Sequence, residues 1–262
     1  MERKTLTGTA GDKVTYCPER GGIITSLILK GKELLFLNEE TFEDRTKTVR
    51  GGIPLLFPNA GFLENPLFPG LTQHGFARRS SRWTSIQSDD AFSETLEANE
   101  ETHCVFPYTF RYAVEGGFDG AHSFRLTQTV TNLEPEKPMP LAMGLHPYFH
   151  APRAKKADIV WDFPQGDLIA QEQRTWSEGG TTSIRNPCTD YPGIKLRIRL
   201  PDLGTLILST SSEYERLWIW SLPDQDFVCV EPVMRDVGGL IDNPVLIQPS
   251  QTLSTFVRFE LE

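Results

Sequence analysis

Residues 195–200 read Lys-Leu-Arg-Ile-Arg-Leu. Leu196, Ile198 and Leu200 fall on one parity, and Lys195, Arg197 and Arg199 on the other. Successive side chains of an extended strand point to opposite faces, so this spacing predicts a strand with one buried and one wet face. The same period returns where Phe110, Tyr112 and Val114 alternate with Arg111, Ala113 and Glu115. It returns again where Val257, Phe259 and Leu261 alternate with Phe256, Arg258 and Glu260. In residues 123–130, Phe124, Leu126 and Val130 share a parity and Gln128 is the polar exception. Shorter runs at 14–16, 23–30, 33–37, 83–87, 92–98, 206–209 and 217–220 add further strands, and the unbroken apolar run 227–230 suits a central one. Turn signals such as Gly116-Gly117 and Asp119-Gly120 separate these runs, and no amphipathic 3.6-residue pattern holds for three turns. The expected fold is all-β: a large antiparallel β-sandwich formed by residues 1–262 as a single domain, with helix below about 15%. A closed barrel is the alternative, because periodicity does not show whether a sheet closes.

Composition narrows the function. A chain of 262 residues can bury a large core, and 39% hydrophobic with 23% charged residues describes a globular protein rather than a disordered one. The 35 acidic and 26 basic side chains give a formal net charge of −9, which argues against nucleic acid as partner but leaves room for a local anion pocket. Residues 1–13 are polar and no apolar run approaches membrane-spanning length, so the expectation is a cytoplasmic protein without signal peptide or membrane partner. Cys17, Cys104, Cys188 and Cys229 are scattered without CxxC spacing and are expected to be reduced core thiols.

The stretch Arg50–Arg78, RGGIPLLFPNAGFLENPLFPGLTQHGFAR, breaks the strand rhythm. Gly51, Gly52 and Gly61 permit positive φ, while Pro54, Pro58, Pro66 and Pro69 remove backbone donors. A long loop pinned by its own apolar residues and bracketed by arginines reads as a binding surface. His74 lies in Gln73-His74-Gly75-Phe76, and His146 in Gly144-Leu145-His146-Pro147-Tyr148-Phe149 with His150 close behind. Both settings offer glycine and aromatics, where a ligand can stack beside an imidazole. His103 and His122 are expected at the surface. His146 and His150 straddle a proline outside any helix, so no metal site or other cofactor is expected. Glu231 ends the apolar run and precedes Pro232, which places a carboxylate at the rim of a core strand. Asp190, read alone, is a turn former. No phosphate loop, dinucleotide fingerprint, nucleophile elbow or HExxH helix occurs.

Four segments together resemble the aldose 1-epimerase (mutarotase) family: RGGIPLLFP at 50–58, QHGFAR at 73–78, LHPYF at 145–149 and CVEP at 229–232. The branch most resembled holds bacterial mutarotase-like proteins and hexose-6-phosphate mutarotases. The resemblance implies a large antiparallel β-sandwich that interconverts the anomers of an aldohexose or its 6-phosphate without a cofactor. It implies Glu231 as the base for the anomeric hydroxyl, His146 as the acid at the ring oxygen and His74 as the second site histidine. It also implies Arg50, Arg78, Gln73 and Asp190 as substrate-binding residues. Hexose-6-phosphate mutarotases tend to place a basic residue after that aspartate, where this chain has Tyr191. Ionised Glu231 beside protonated His146 is the expected working state, with Phe76 or Tyr148 as a sugar platform. The expected partner is a small sugar or sugar phosphate, and the expected assembly a monomer or weak homodimer. The competing function is a sugar-binding module without catalysis; a glycosidase would need two suitably spaced carboxyl groups.

Overall fold

The computed structural model describes residues 1–173, 181–185, 187 and 191–262. The alternating segments are strands: Lys195–Leu200 buries its three aliphatic residues and exposes its three cations. Phe110–Gly120, Ser123–Asn132 and Thr252–Leu261 keep the same period with the predicted faces inward. They belong to an eight-stranded sheet ordered 160–162, 195–200, 204–210, 252–261, 123–132, 110–120, 91–97, 84–87. A six-stranded sheet runs 181–185, 216–220, 227–233, 144–145, 55–56, with 148–150 also on 227–233. A four-stranded sheet of residues 4–33 and a two-stranded one complete the fold. Every pairing between these strands is antiparallel.

One apolar core joins the inner faces, with Leu217, Val228 and Val230 of the six-stranded sheet meeting Tyr112, Leu126 and Phe259 of the eight-stranded one. Phe57 stacks on Tyr112 at 4.4 Å between centroids, and Phe149 meets Phe259 edge-on at 6.0 Å. Burial of each such aromatic contributes roughly 1.5–3 kcal/mol. Gln128 is fully buried because its amide bonds the hydroxyls of Tyr112 and Tyr214, which satisfies a polar group on an apolar face.

Several elements depart from expectation. The stretch 139–150 forms three short strands: Met139–Leu141 joins Val245–Ile247, whereas Gly144–Leu145 and Tyr148–His150 lie on Phe227–Val233. Pro147 lacks the N–H that would continue the ladder. Lys4–Thr7 and Thr181–Arg185 are strands too polar to announce themselves. Among the described residues no α-helix exceeds eight residues, and no helix is long and apolar enough to cross a membrane. His103 is exposed as expected, on helix Glu100–Val105. His122 is half-buried, its Nδ1 3.0 Å from Asp12. Cys17 and Cys229 are free core thiols as expected, but Cys104 is exposed on that same helix, and Cys188 lies outside the described residues.

Candidate active site

Strand Phe227–Val233 is buried along its whole length and carries two faces. Val228 and Val230 point into the main core, while Cys229 and Val233 belong to smaller clusters on the other face, the face of Glu231. On one side Trp218 lies opposite Glu231 and Trp220 opposite Cys229. On the other side Gly144 lies opposite Val233 and Tyr148 opposite Cys229. Continuing that register across Pro147 sets His146 opposite Glu231. Its Nε2 is 3.4 Å from Glu231 Oε1. The segment leading into strand 55–56 holds the break in place, since the N–H of His146 donates to Pro54 O and that of Tyr148 to Gly52 O. Gly144 is needed for the approach, because a Cβ there would lie 2.6 Å from Val233.

The long loop delivers the second histidine. Gly75 fits only as glycine: its φ is +68°, and a Cβ would lie 1.9 Å from Phe57 O. His74 adopts φ +64°, a left-handed conformation costly for a side-chain-bearing residue. Reciprocal bonds to Gly61 hold it there. The His74 N–H donates to Gly61 O at 2.9 Å, and the Gly61 N–H donates to His74 Nδ1 at 3.0 Å. Nδ1 is therefore an acceptor, and the proton of the neutral ring sits on Nε2. The two imidazoles meet edge to face at 5.4 Å, and His146 stacks on Tyr148 at 4.7 Å.

These groups surround a cavity of about 590 Å³ lined by Arg50, Gln73, His74, Arg78, His146 and Glu231 among others. Trp218, Trp220, Tyr148 and Phe62 form its aromatic walls, and Arg50 lies 5.7 Å from the Trp220 ring. Arg78 donates to Gln73 O at 2.8 Å, and burial lowers its pKa to about 10. Six of the seven residues singled out from sequence thus converge; Asp190 lies outside the described residues. Phe76 is corrected: it packs edge-on against Phe57 in the core and does not line the cavity. Trp218, Trp220 and Asp236 were missed. Asp236 accepts from the Trp218 indole at 3.1 Å and so fixes that wall. Their signal is cross-strand pairing, which a sequence shows only once the partner strand is known. Tyr191 lines a different groove, with Arg125, Lys195 and Phe256 on the outer face of the eight-stranded sheet.

Burial decides the protonation of the site. Desolvation pushes the Glu231 carboxyl well up and, with His74 and Arg78 nearby, pushes His146 well down. His74 falls to about 3 through burial and the charges of Arg78 and Arg79. At the cavity floor water solvates neither charge well, so both shifts work against the ion pair expected from the sequence. Glu231 with its proton beside neutral His146 holds the same single proton.

The fold and this cavity define a galactose mutarotase-like β-sandwich. Over 99% of this chain and 95% of the other, the structure superimposes on the Slr1438 protein of Synechocystis sp. PCC 6803 with a TM-score of 0.84 at 27% identity. A galactose mutarotase related enzyme from Lactobacillus acidophilus shares the fold at a TM-score of 0.77 and 20% identity, covering 100% and 97% of the two chains. Residues 5–192 match the aldose 1-epimerase family, and the chain belongs to this family. The plasmid-encoded protein LacX of Lactococcus lactis is 32% identical over 181 residues, which span 59% of this chain and 58% of that relative.

Proposed function

We propose that residues 1–262 act as one catalytic domain that interconverts the α and β anomers of an aldohexose, with the 6-phosphate as the preferred form. The observation that carries this reading is the Glu231–His146 pair, 3.4 Å apart at the floor of an aromatic-walled cavity. Glu231 takes the proton of the C1 hydroxyl while His146 gives one to the ring oxygen. The bond between C1 and the ring oxygen breaks, its electrons go to that oxygen, and C1 becomes an aldehyde. Rotation about C1–C2 and the reverse transfers close the ring with the opposite configuration. Positioned proton transfer contributes about 10²–10⁴ in rate.

The resting pair already contains the one proton this cycle needs. Sugar hydroxyls donating to Glu231, and a ring oxygen accepting from His146, favour moving that proton from carboxyl to imidazole. His74 offers an Nε2–H to hold a sugar oxygen, and its low pKa suits a fixed donor rather than a proton shuttle. The phosphate preference rests on Arg50, Arg78 and Arg79, which line the cavity and have no carboxylate partner among the described residues. Guanidinium groups bind phosphate with charge-assisted bonds. The departure at Tyr191 carries little weight against this, since Tyr191 lines another groove.

The test is α-to-β conversion followed by polarimetry or NMR, with glucose and glucose 6-phosphate, beside a binding measurement. Conversion by the wild-type protein and its loss in Glu231→Gln, with sugar still bound, is the expected result. Stoichiometric binding without conversion by the wild-type protein would mean a sugar-binding module instead.

A further inference from the structure

We propose that Cys229, His146 and Glu231 form a binding site for a zinc-class divalent cation, and that occupancy of this site stops proton transfer by the Glu231–His146 pair. One donor atom from each residue lies within 4.8 Å of the other two, and all three residues are buried. The sheet register produces the cluster: Cys229 and Glu231 are two apart on one strand face, and Tyr148 opposite Cys229 brings His146 alongside. Tetrahedral zinc, with bonds of about 2.0–2.3 Å, sets its ligands roughly 3.3–3.8 Å apart. The His146–Glu231 separation of 3.4 Å already has that value.

A second, independent observation points to a ligand. Glu231 Oε2 is buried with no hydrogen-bond partner, in a residue only 2% exposed. Such an atom costs about 1–3 kcal/mol, a cost that coordination removes. The donors are one sulfur, one nitrogen and one oxygen, a borderline set that suits zinc or cobalt and not magnesium or calcium, which take oxygen ligands. Three protein ligands leave a fourth position toward the cavity for water or a sugar oxygen. Among the described residues this is the only group of three or more such side chains at metal-binding spacing.

On binding, the Cys229 thiol and the Glu231 carboxyl each release a proton to solvent, and His146 coordinates as the neutral ring. The Glu231 carboxylate is then bound to metal and takes no proton from the C1 hydroxyl. The His146 lone pair is likewise occupied. This loss of rate rests on the epimerase reading; the metal site does not.

Cobalt(II) is the probe. Added to the EDTA-treated wild-type protein, it should give a near-ultraviolet thiolate-to-cobalt band and strong tetrahedral visible bands, displaced by zinc and unaffected by magnesium. Cys229→Ala, folded by circular dichroism, should lose the near-ultraviolet band. Glu231→Gln keeps the thiol and should bind about 10–100-fold more weakly. No thiolate band in the wild-type protein, or unchanged cobalt binding in Glu231→Gln, overturns the site even if Cys229→Ala does not fold. Saturating zinc should lower the wild-type conversion rate at least about tenfold and that of Cys229→Ala by less than about twofold, each against its own EDTA rate. Full cobalt occupancy with an unchanged rate overturns the inhibition. An intact cobalt band in an EDTA-treated protein that never converts anomers supports the site and counts against the epimerase reading alone.

Discussion

Glu231 and Glu94 are the same side chain in nearly the same local setting, and they do different things. Each sits inside a strand, Glu231 at 2% and Glu94 at 0% exposure. Burial raises both carboxyls, Glu94 to about 8. Glu231 has one oxygen without a hydrogen-bond partner, and Glu94 has both. The difference lies in what faces them. Glu231 lines a cavity and has an imidazole 3.4 Å away. Glu94 points inward from the eight-stranded sheet between Phe92 and Leu96, beside Tyr16 and Tyr112, and does not line that cavity. A raised carboxyl is thus a sign of desolvation, and becomes a sign of chemistry only with access and a proton partner.

The largest expected effect separates the two directly. Glu231→Gln should lower kcat for anomer conversion by about 10² or more with sugar binding kept, while Glu94→Gln changes it by less than about twofold. Equal losses in steady-state assays of the two folded variants would erase the distinction. His146→Asn should cost about as much as Glu231→Gln. His74→Asn should cost about tenfold, since asparagine tolerates the left-handed backbone but loses the Nε2–H donor.

The pH profile of kcat/KM sharpens the proton partnership. With His146 lowered and Glu231 raised by burial, the pair holds one proton over a wide interval. The acid limb should fall below the ordinary histidine range and the alkaline limb above the ordinary carboxylate range. A single ionisation near the free carboxylate value would mean that Glu231 titrates as an exposed group. At the cavity wall, Arg78→Ala should raise KM for glucose 6-phosphate by about 10–100-fold and that for glucose by much less, with less salt dependence. Equal effects on both sugars would remove phosphate from the assignment.

The smallest effect concerns stability. Burial pushes the Glu94 carboxyl from its ordinary 4.5 up to about 8 in the folded protein. Its contribution is complete below the unfolded value and is lost as pH rises through about 8. Glu94→Gln should flatten this alkaline decline, a Tm gain of about 2–4 °C at pH 8. His74 runs the other way. Lowered to about 3, its contribution is present above the ordinary histidine value and lost on acidification. Differential scanning calorimetry from pH 4 to 9 would resolve the two limbs, and identical slopes in wild type and Glu94→Gln would mean that Glu94 is solvated.

What the sequence by itself determined is the local part. Alternation at 110–115, 195–200 and 256–261 required strands with one buried face, because side-chain period follows from backbone geometry alone. The glycines and prolines of 50–78 required an irregular loop, and the motifs around His74, His146 and Glu231 marked residues that meet in one cavity. Phe92–Ala98 was legible as a strand, but nothing in it told Glu94 from a surface carboxylate. The tertiary structure alone decided what stands opposite what. Trp218 and His146 flank Glu231 only because strands 216–220 and 144–150 pair with 227–233 in one register, and a slip of one residue would turn each side chain to the other face. The protonation of the site was decided there too. An ion pair suits Glu and His in water, but burial at the cavity floor disfavours both charges and pulls the two groups toward their neutral forms.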